Sequence, residues 1–270
     1  MPADADLGND DLAVAVADDG LVVRATIDRP AKRNALNDAV LDGLADVLDF
    51  ADGSAVRVVV IQGAGGTFCA GGDLESMAGS FGRGAQAFRE GFGTLAGLME
   101  RMVDTGALVV AAVEGYCLAG GMGLAASCDV ILASEDATFG TPEVDVGLLP
   151  AQAMVPIMRT VNEKQGMKLL FTGERIDAAR ADEIGFTTEV VPDGAFEAEL
   201  DDLVDDLAAS SPVTIEMGKD AFYNQREMGF SEALSYMREV IALVAMSEET
   251  EAGIRAFLAD EEPDWRGRGG

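Results

Sequence analysis

The sequence contains no histidine, and this absence excludes several classes of catalysis. Ser-His-Asp hydrolysis, cysteine nucleophiles activated by histidine, and metal sites with imidazole ligands all require that residue. The three cysteines, Cys69, Cys117 and Cys128, are odd in number and nowhere form a Cys-x-x-Cys pair. A disulfide framework or a thiolate zinc site is therefore not expected. Catalysis must rest on carboxylates, hydroxyls or backbone groups.

Basic residues are also scarce, because 19 lysines and arginines stand against 48 aspartates and glutamates and leave a formal net charge of -29. A surface this acidic repels phosphate backbones, so no nucleic-acid partner is expected. The acidic excess is spread along the whole chain, which favours a high-salt cytosol, where salt screens the repulsion between like charges. An ordinary acidic protein is the alternative.

Long apolar runs are missing as well. No uninterrupted stretch reaches the roughly eighteen apolar residues of a membrane span. The N-terminal segment from Met1 to Asp11 has neither a basic n-region nor an apolar h-region. We therefore expect a cytoplasmic protein with no membrane partner. Its 270 residues, nearly half of them apolar, suffice for one large domain or one domain with a small appendage.

Apolar segments and glycine-rich loops alternate over the first two thirds of the chain. Residues 21–27, 58–61 and 108–113 favour strands, and the last two are apolar throughout, which indicates burial on both faces. Asn37 precedes apolar residues at helical spacing and is placed to cap that helix. The alternation predicts an α/β architecture in which the glycine loops lie at strand ends.

From about Ala195 the glycine loops stop and only helical patterns follow. We therefore predict a core from residue 1 to 194 and a helical region from residue 195 to 270. The methionines of the second region are typical of core packing or of a subunit contact rather than of a cofactor site.

Two glycine loops place small residues where a backbone can approach a ligand closely. The first runs from Gly66 to Leu74, and on its own a tight turn explains it equally well. The second, Ala119 to Gly123, lies between an apolar strand and a predicted helix at 124–128, so its N–H groups favour an anion. It lacks the spacing of a phosphate or dinucleotide loop. Two such loops together would form an oxyanion hole.

Glu143 lies in a largely apolar segment from Phe139 to Pro150. Burial there would raise the pKa of Glu143, and Pro142 restricts the local backbone, which together suit a general acid or base. The alternative is a carboxylate that only begins a helix after Pro142.

These features occur together in an order that resembles the crotonase superfamily, the enoyl-CoA hydratase/isomerase family. The resemblance covers most of the chain. Its five segments are residues 27–37, residues 68–74, residues 112–116 with the Gly120-Gly121 pair, residues 139–150, and residues 247–265. Single motifs of this kind are common, but five in order are specific.

The resemblance implies a spiral of ββα turns followed by a helical trimerisation region, packed as a homotrimer or homohexamer. It implies an acyl-CoA thioester as substrate, with no permanently bound cofactor and no metal. The N–H groups of Ala70 and Gly120 match the positions that hold the thioester oxygen and stabilise the enolate, and Glu143 matches a catalytic acid/base.

The resemblance also implies a set of CoA-binding residues, among which Lys32 and Arg33 would contact phosphates. The set is Ala31, Lys32, Arg33, Ala70, Gly71, Gly72, Asp73 and Leu74.

One position departs from the pattern of family hydratases, which hold a water between two glutamates. Gly123 occupies the first glutamate position, and Glu143 matches the second. Family isomerases resemble this chain in keeping only the second acid, because shifting a double bond requires one base. Asp145 is a possible substitute for the missing acid. We predict an isomerase, with an enoyl-CoA hydratase as the alternative and a silent acyl-CoA-binding protein as the alternative from another class.

Overall fold

The computed structural model of the protein describes residues 7–17, 19–79, 81–263 and 265, and in these residues strands and helices alternate. The strands are β1 (Leu12–Val16), β2 (Val22–Ile27), β3 (Val58–Gly63), β4 (Leu108–Val113), β5 (Tyr116–Leu118), β6 (Val130–Ser134), β7 (Thr138–Gly140), β8 (Arg175–Asp177) and β9 (Glu189–Val191). The helices are α1 (Asp38–Asp52), α2 (Leu74–Ala78), α3 (Ala85–Asp104), α4 (Gly120–Ala126), α5 (Ala151–Thr160), α6 (Glu163–Thr172), α7 (Ala178–Glu183), α8 (Phe196–Ala208), α9 (Pro212–Gln225), α10 (Phe230–Ala245) and α11 (Glu248–Leu258). Short 3-10 helices lie at Pro30–Lys32, Pro142–Val146 and Asp193–Ala195.

A six-stranded sheet with the order β1-β2-β3-β4-β6-β9 forms the centre of the molecule. Only the pairing of β1 with β2 is antiparallel, and the other neighbours are parallel. The central strands β3 and β4 pair in register from Val58 opposite Leu108 to Ile61 opposite Ala111. Their apolar residues are buried on both faces, which confirms the predicted α/β class.

Two apolar layers cover the two faces of this sheet. Val59, Ile61, Val109 and Ala111 pack on the side that holds α1, and Val58, Val60, Val110 and Ala112 pack on the side that holds α8. The alternation follows from the two-residue period of a strand. Because apolar layers pack on both faces, the parallel strands are held in place, and the loops that follow them start from defined positions.

A second, three-stranded sheet with the order β5-β7-β8 lies beyond the carboxyl ends of β4 and β6. Strands β4 and β5 with helix α4 form one ββα unit, and β6 and β7 with the 3-10 helix Pro142–Val146 form the next. Strands β5 and β7 pair in parallel from Tyr116 opposite Thr138 to Leu118 opposite Gly140. The loop before α4 and the segment that carries Glu143 are thereby brought side by side.

Helix α9 is anchored to the sheet by the buried Lys219. Its Nζ lies 2.8 Å from Asp129 Oδ2 and donates to the carbonyls of Met102 and Ala107, each at 2.8 Å. The three donors of the ammonium group are therefore satisfied. This cluster has a structural role in joining α9 to the amino ends of β4 and β6.

Helices α10 and α11 have no buried residues and leave many apolar side chains exposed. Among the described residues, no helix is long and apolar enough to cross a membrane. Helix α8, the first of the C-terminal helices, still packs on the sheet. The predicted division between residues 194 and 195 stays a prediction.

Candidate active site

The first glycine loop lies along the segment that follows β2. Ala70 N–H donates to Arg33 O at 3.0 Å, Leu36 N–H donates to Gly71 O at 2.8 Å, and Asp73 N–H donates to Leu36 O at 2.9 Å. The Ala70 N–H is thus already used inside the protein. A bonded N–H cannot also hold a substrate oxygen at full strength, so this hydrogen bond does not favour Ala70 as an oxyanion donor, and that role stays a prediction.

The N–H of Gly72 lies between these hydrogen-bonded groups and is itself open. Gly72 is exposed, and its N–H donates to no acceptor among the residues that the structure describes. A β-carbon placed on Gly120 would lie 3.6 Å from the Gly72 nitrogen, so the two glycine loops meet here. No feature of the sequence distinguishes Gly72 from Ala70, since only the long-range pairing with residues 33–36 shows which N–H is free.

The second loop places Gly120 at the start of α4, four residues earlier than the predicted helix at 124–128. The N–H of a first-turn residue has no acceptor within its own helix. Ala119 before it has φ 54° and ψ -128° and donates its N–H to Gly140 O at 2.8 Å. A positive φ is unfavourable for alanine, so the surrounding hydrogen bonds hold this turn in place.

Glu143 belongs to the 3-10 helix Pro142–Val146, which leaves the small sheet directly after β7. Its Oε2 atom is buried and has no hydrogen-bond partner among the described residues. Burial raises the pKa of Glu143 above the usual value, and a hydrogen bond from its own backbone offsets this only in part. An unsatisfied buried carboxylate oxygen is unfavourable, and active sites are where such groups are retained.

Asp145 is the other carboxylate of this 3-10 helix, and its role as a substitute acid stays a prediction. Its side chain is exposed and lies beside Gly173 at the end of α6, where a β-carbon on that glycine would be 3.5 Å from Asp145 Oδ1. No other carboxylate among the described residues contributes to raising the pKa of Glu143. Burial, rather than a neighbouring carboxylate, raises the pKa of Glu143.

Gly123 lies at the closest approach of α4 to α5. A β-carbon at this position would be 2.7 Å from both Cα and Cβ of Ala153 and 2.9 Å from Met99 Cε. Contacts this short are repulsive. Two of the three atoms belong to Ala153, a buried residue in the first turn of α5. Helix α5 and Met99 therefore fill the space that a side chain on residue 123 would need.

This packing predicts the effect of replacing Gly123 by alanine. Gly123→Ala is expected to lower the free energy of unfolding by about 1–3 kcal/mol, the usual effect of overpacking a core. Gly218→Ala in α9 is the matched control, because a β-carbon there meets no atom within 4 Å. Alanine at such a helix position stabilises by about 0.5–1 kcal/mol. Urea unfolding of both variants at one salt concentration tests this, and equal stabilisation would contradict the close packing.

The remaining residues of the predicted CoA path lie around the first loop. Ala31 and Lys32 form part of the exposed 3-10 helix Pro30–Lys32, and Lys32 Nζ lies 2.7 Å from Glu75 Oε1. Arg33 is exposed in a left-handed conformation with φ 52°. Leu74 is exposed at the start of α2, and Asp73 caps this helix through hydrogen bonds from the N–H groups of residues 75 and 76.

Comparison with known proteins places this arrangement in a family. The family model for enoyl-CoA hydratase/isomerase matches residues 18–268. The 2,3-dehydroadipyl-CoA hydratase of Escherichia coli is 35% identical over 250 residues, which cover 92% of this chain and 96% of that protein.

Solved structures give the same relationship. An enoyl-CoA hydratase from Mycobacterium smegmatis superimposes with a TM-score of 0.91 at 30% identity and covers 95% of this chain and 99% of its own. The human enoyl-CoA hydratase domain-containing protein 3 gives a TM-score of 0.89 at 30% identity, over 94% of this chain and 100% of its own. The predicted crotonase-like fold is confirmed by these likenesses. The chain belongs to the enoyl-CoA hydratase/isomerase family, whose enzymes act on acyl-CoA thioesters.

Proposed function

We propose that this protein shifts the double bond of an enoyl-CoA from C3 to C2, with Glu143 as its only acid/base. The Glu143 carboxylate takes a proton from C2 of a 3-enoyl thioester, and the electron pair moves onto the thioester oxygen as a dienolate. The same carboxyl group then returns the proton to C4, which leaves the double bond between C2 and C3. No atom is gained or lost overall.

Gly72 and Gly120 are proposed to hold the oxygen of this dienolate. Neither N–H group has an acceptor in the described part of the chain, and they belong to the two loops that meet beside Ala119. Leu36 Cδ1 and Leu95 Cδ2 lie next to Gly120, so the donors act in apolar surroundings. Donors fixed toward developing charge contribute about 3 kcal/mol each.

Two observations together carry isomerisation: Glu143 has a buried carboxylate oxygen without a partner among the described residues, and position 123 leaves no room for a side chain. Hydration requires a water to be oriented and a proton to be delivered, which two carboxylates do more easily than one. Here Ala153 and Met99 occupy the place of a second side chain, and Asp145 points elsewhere. A single base favours moving a proton between two carbons of one substrate.

The alternative proposal is hydration of a 2-enoyl-CoA, which is favoured by the names of the relatives, including a 2,3-dehydroadipyl-CoA hydratase. Purified protein given trans-3-enoyl-CoA should form the conjugated 2-enoyl thioester, seen as a rise in ultraviolet absorbance. The same protein given trans-2-enoyl-CoA should form 3-hydroxyacyl-CoA slowly, measured by mass. Faster hydration than isomerisation at equal substrate concentration would favour the alternative.

The raised pKa of Glu143 predicts the pH dependence of turnover. The base must be ionised, so kcat/KM should fall as the pH is lowered through the pKa of Glu143. Because burial raises this pKa, the acidic limb should lie at higher pH than that of an ordinary glutamate. Measuring kcat/KM at a series of acidic pH values and constant salt concentration tests this prediction. An acidic limb at or below the ordinary glutamate pKa would contradict a buried base.

We also propose that the CoA portion lies over the first loop and the turn before it. Lys32 and Arg33 are exposed cations in a chain of net charge -29. They lie next to the first glycine loop, because the Arg33 carbonyl accepts the Ala70 N–H. Ala31, Lys32, Arg33 and residues 70–74 remain the proposed CoA-binding set. The Glu75 partner of Lys32 would compete with a phosphate for it.

The exposed apolar faces of α10 and α11 support a homotrimer or homohexamer. Phe230 and Phe257 are 82% and 83% exposed, and Leu234, Ile241 and Leu258 are exposed with them. Exposed apolar residues concentrated on two neighbouring helices are typical of a subunit interface. Sedimentation equilibrium at high salt would give the mass of the assembly and separate the two states.

The proposed compartment is a reducing, high-salt cytoplasm. Cys69, Cys117 and Cys128 are buried free thiols, and burial raises the pKa of Cys69 to about 12. Unreactive thiols and an acidic surface are consistent with that environment. Thermal unfolding over a range of potassium chloride concentrations tests the salt requirement.

A further inference from the structure

Arg29 lies between β2 and the 3-10 helix Pro30–Lys32, and its side chain is only 13% exposed. Its Nη1 donates to Ala35 O at 2.5 Å, and its Nη2 lies 3.0 Å from Asp73 Oδ2. Its Nε lies 3.4 Å from Asp11 Oδ2. One guanidinium therefore joins the N-terminal segment, the turn after β2 and the first glycine loop.

Asp73 is the residue that transmits these contacts to the loop. Its side chain is 9% exposed; Oδ2 faces Arg29, while Oδ1 accepts the N–H groups of Glu75 and Ser76 at 3.0 and 3.4 Å. Burial alone would raise the pKa of Asp73. The hydrogen bonds from Arg29 and from the two capping N–H groups outweigh this effect, and the pKa lies below its usual value. The carboxylate is thus kept ionised and fixed in direction.

The peptide of Gly72 is held between these contacts. On one side Gly71 O accepts Leu36 N–H, and on the other Asp73 N–H donates to Leu36 O. Gly71 and Gly72 have no side chains that could fix the backbone, and Gly71 has φ 106°. Gly71 O belongs to the same planar peptide unit as the Gly72 N–H, so its hydrogen bond from Leu36 N–H orients this N–H directly. Asp73 holds the other end of the segment through its own N–H and through its side chain, which pairs with Arg29.

We propose that Arg29 is a positioning residue that fixes the Gly72 N–H toward the thioester oxygen through Asp73. This inference rests on the proposed function, in which Gly72 is an oxyanion donor. The charges explain why a cation is required: Arg29 contacts both the Asp11 and the Asp73 carboxylates, and its loss removes the positive partner that the structure gives to each of them. Repulsion would turn Asp73 outward, and the cap of α2 and the Gly72 peptide would shift with it.

The test compares Arg29→Gln and Arg29→Lys with Arg24→Gln. Arg24 lies on β2, the strand that precedes Arg29, and pairs with the exposed Asp201, so its replacement serves as the control. Arg29→Gln is expected to lower kcat about tenfold to a hundredfold with little change in KM, as for a reacting group displaced by about 1 Å. Arg29→Lys, which keeps the charge, should recover part of this loss.

A second measurement reports on the donors without turnover. The absorption of a conjugated aryl-enoyl-CoA moves to longer wavelength when its thioester carbonyl accepts strong hydrogen bonds. Wild type and Arg24→Gln should show this shift on binding the probe, and Arg29→Gln should lose most of it. A folded Arg29→Gln protein with wild-type kcat and an unchanged shift would overturn the proposal.

If Arg29→Gln fails to fold, Asp73→Asn decides the question, because asparagine keeps a capping oxygen but loses the ion pair. It should also reduce kcat and the absorption shift, and wild-type values of both would again overturn the positioning role. Failure of the proposed function looks different. In that case Glu143→Gln would retain turnover of 3-enoyl-CoA, whatever the Arg29 variants do.

Discussion

Replacing Glu143 by glutamine is expected to lower kcat for 3-enoyl-CoA by about a hundredfold to ten-thousandfold, the usual contribution of a general acid/base. The loss should be this large because the proposed mechanism uses Glu143 as its only acid/base. The oxyanion donors remain, so binding of the substrate should change little. Stopped-flow absorbance of the conjugated product measures both quantities.

Asp145→Asn is the matched control, since Asp145 lies in the same 3-10 helix but is exposed. It should keep nearly the full rate. If Asp145→Asn lowered kcat as much as Glu143→Gln, the two acids would act together and the mechanism with one base would be wrong.

The same Glu143→Gln variant should be at least as stable as the wild type near neutral pH. A carboxyl group whose pKa is raised by folding weakens the fold at pH values above that pKa, because the charged form is buried. The difference should shrink as the pH falls and disappear below the pKa of the unfolded chain, where both states are protonated. Thermal unfolding at several pH values checks the sign.

Replacing Gly72 by proline removes the proposed donor and is expected to lower kcat by about a hundredfold to a thousandfold. Gly72→Ala is the control, because it keeps the N–H and its β-carbon would meet no protein atom within 4 Å. The aryl-enoyl-CoA absorption shift should be weak in the proline variant and present in the alanine variant.

Binding of CoA and the circular dichroism spectrum should be unchanged in both Gly72 variants if the loop still folds. Wild-type turnover in Gly72→Pro would show that the thioester oxygen lies elsewhere. Ala70→Pro would then become informative, although the Ala70 N–H is bonded to Arg33 O in the present structure.

The sequence predicted the central strands well because their signal is local. Residues 108–113 form β4 as expected, and residues 58–61 begin β3, since continuous valine and isoleucine favour a strand buried on both faces. Asn37 caps α1 by accepting the N–H of Val40, as its position before the apolar helix predicted.

Strand β1 was not predicted, although Leu12–Val16 alternates in the manner of a half-buried strand. Its exposed positions are alanines rather than polar residues, so the alternation is weak in the sequence. Pairing with β2 supplies the missing information. Helix α4 likewise begins at Gly120 rather than at Leu124, because packing against α5 and the turn at Ala119 override the low helix propensity of glycine.

The residues of the candidate site also differ in whether their roles have a local signal in the sequence or depend on long-range contacts. Glu143 could be proposed from its apolar neighbours and Pro142, which act within a few residues. The identity of the first donor could not, since Ala70 and Gly72 differ only in their pairing with Arg33 and Leu36, more than thirty residues earlier. Arg29 was overlooked for the same reason, because its role depends on Asp73.

The close contact at Gly123 also limits the mutational routes open to this enzyme. A glutamate introduced there would first have to displace Ala153 and Met99, so the gain of a second acid depends on prior substitutions at those two positions. Each step taken alone would loosen the α4–α5 contact without adding a catalytic group. A second carboxylate at position 123 therefore depends on residues 99, 123 and 153 together. A single substitution at any one of them should be unable to add it.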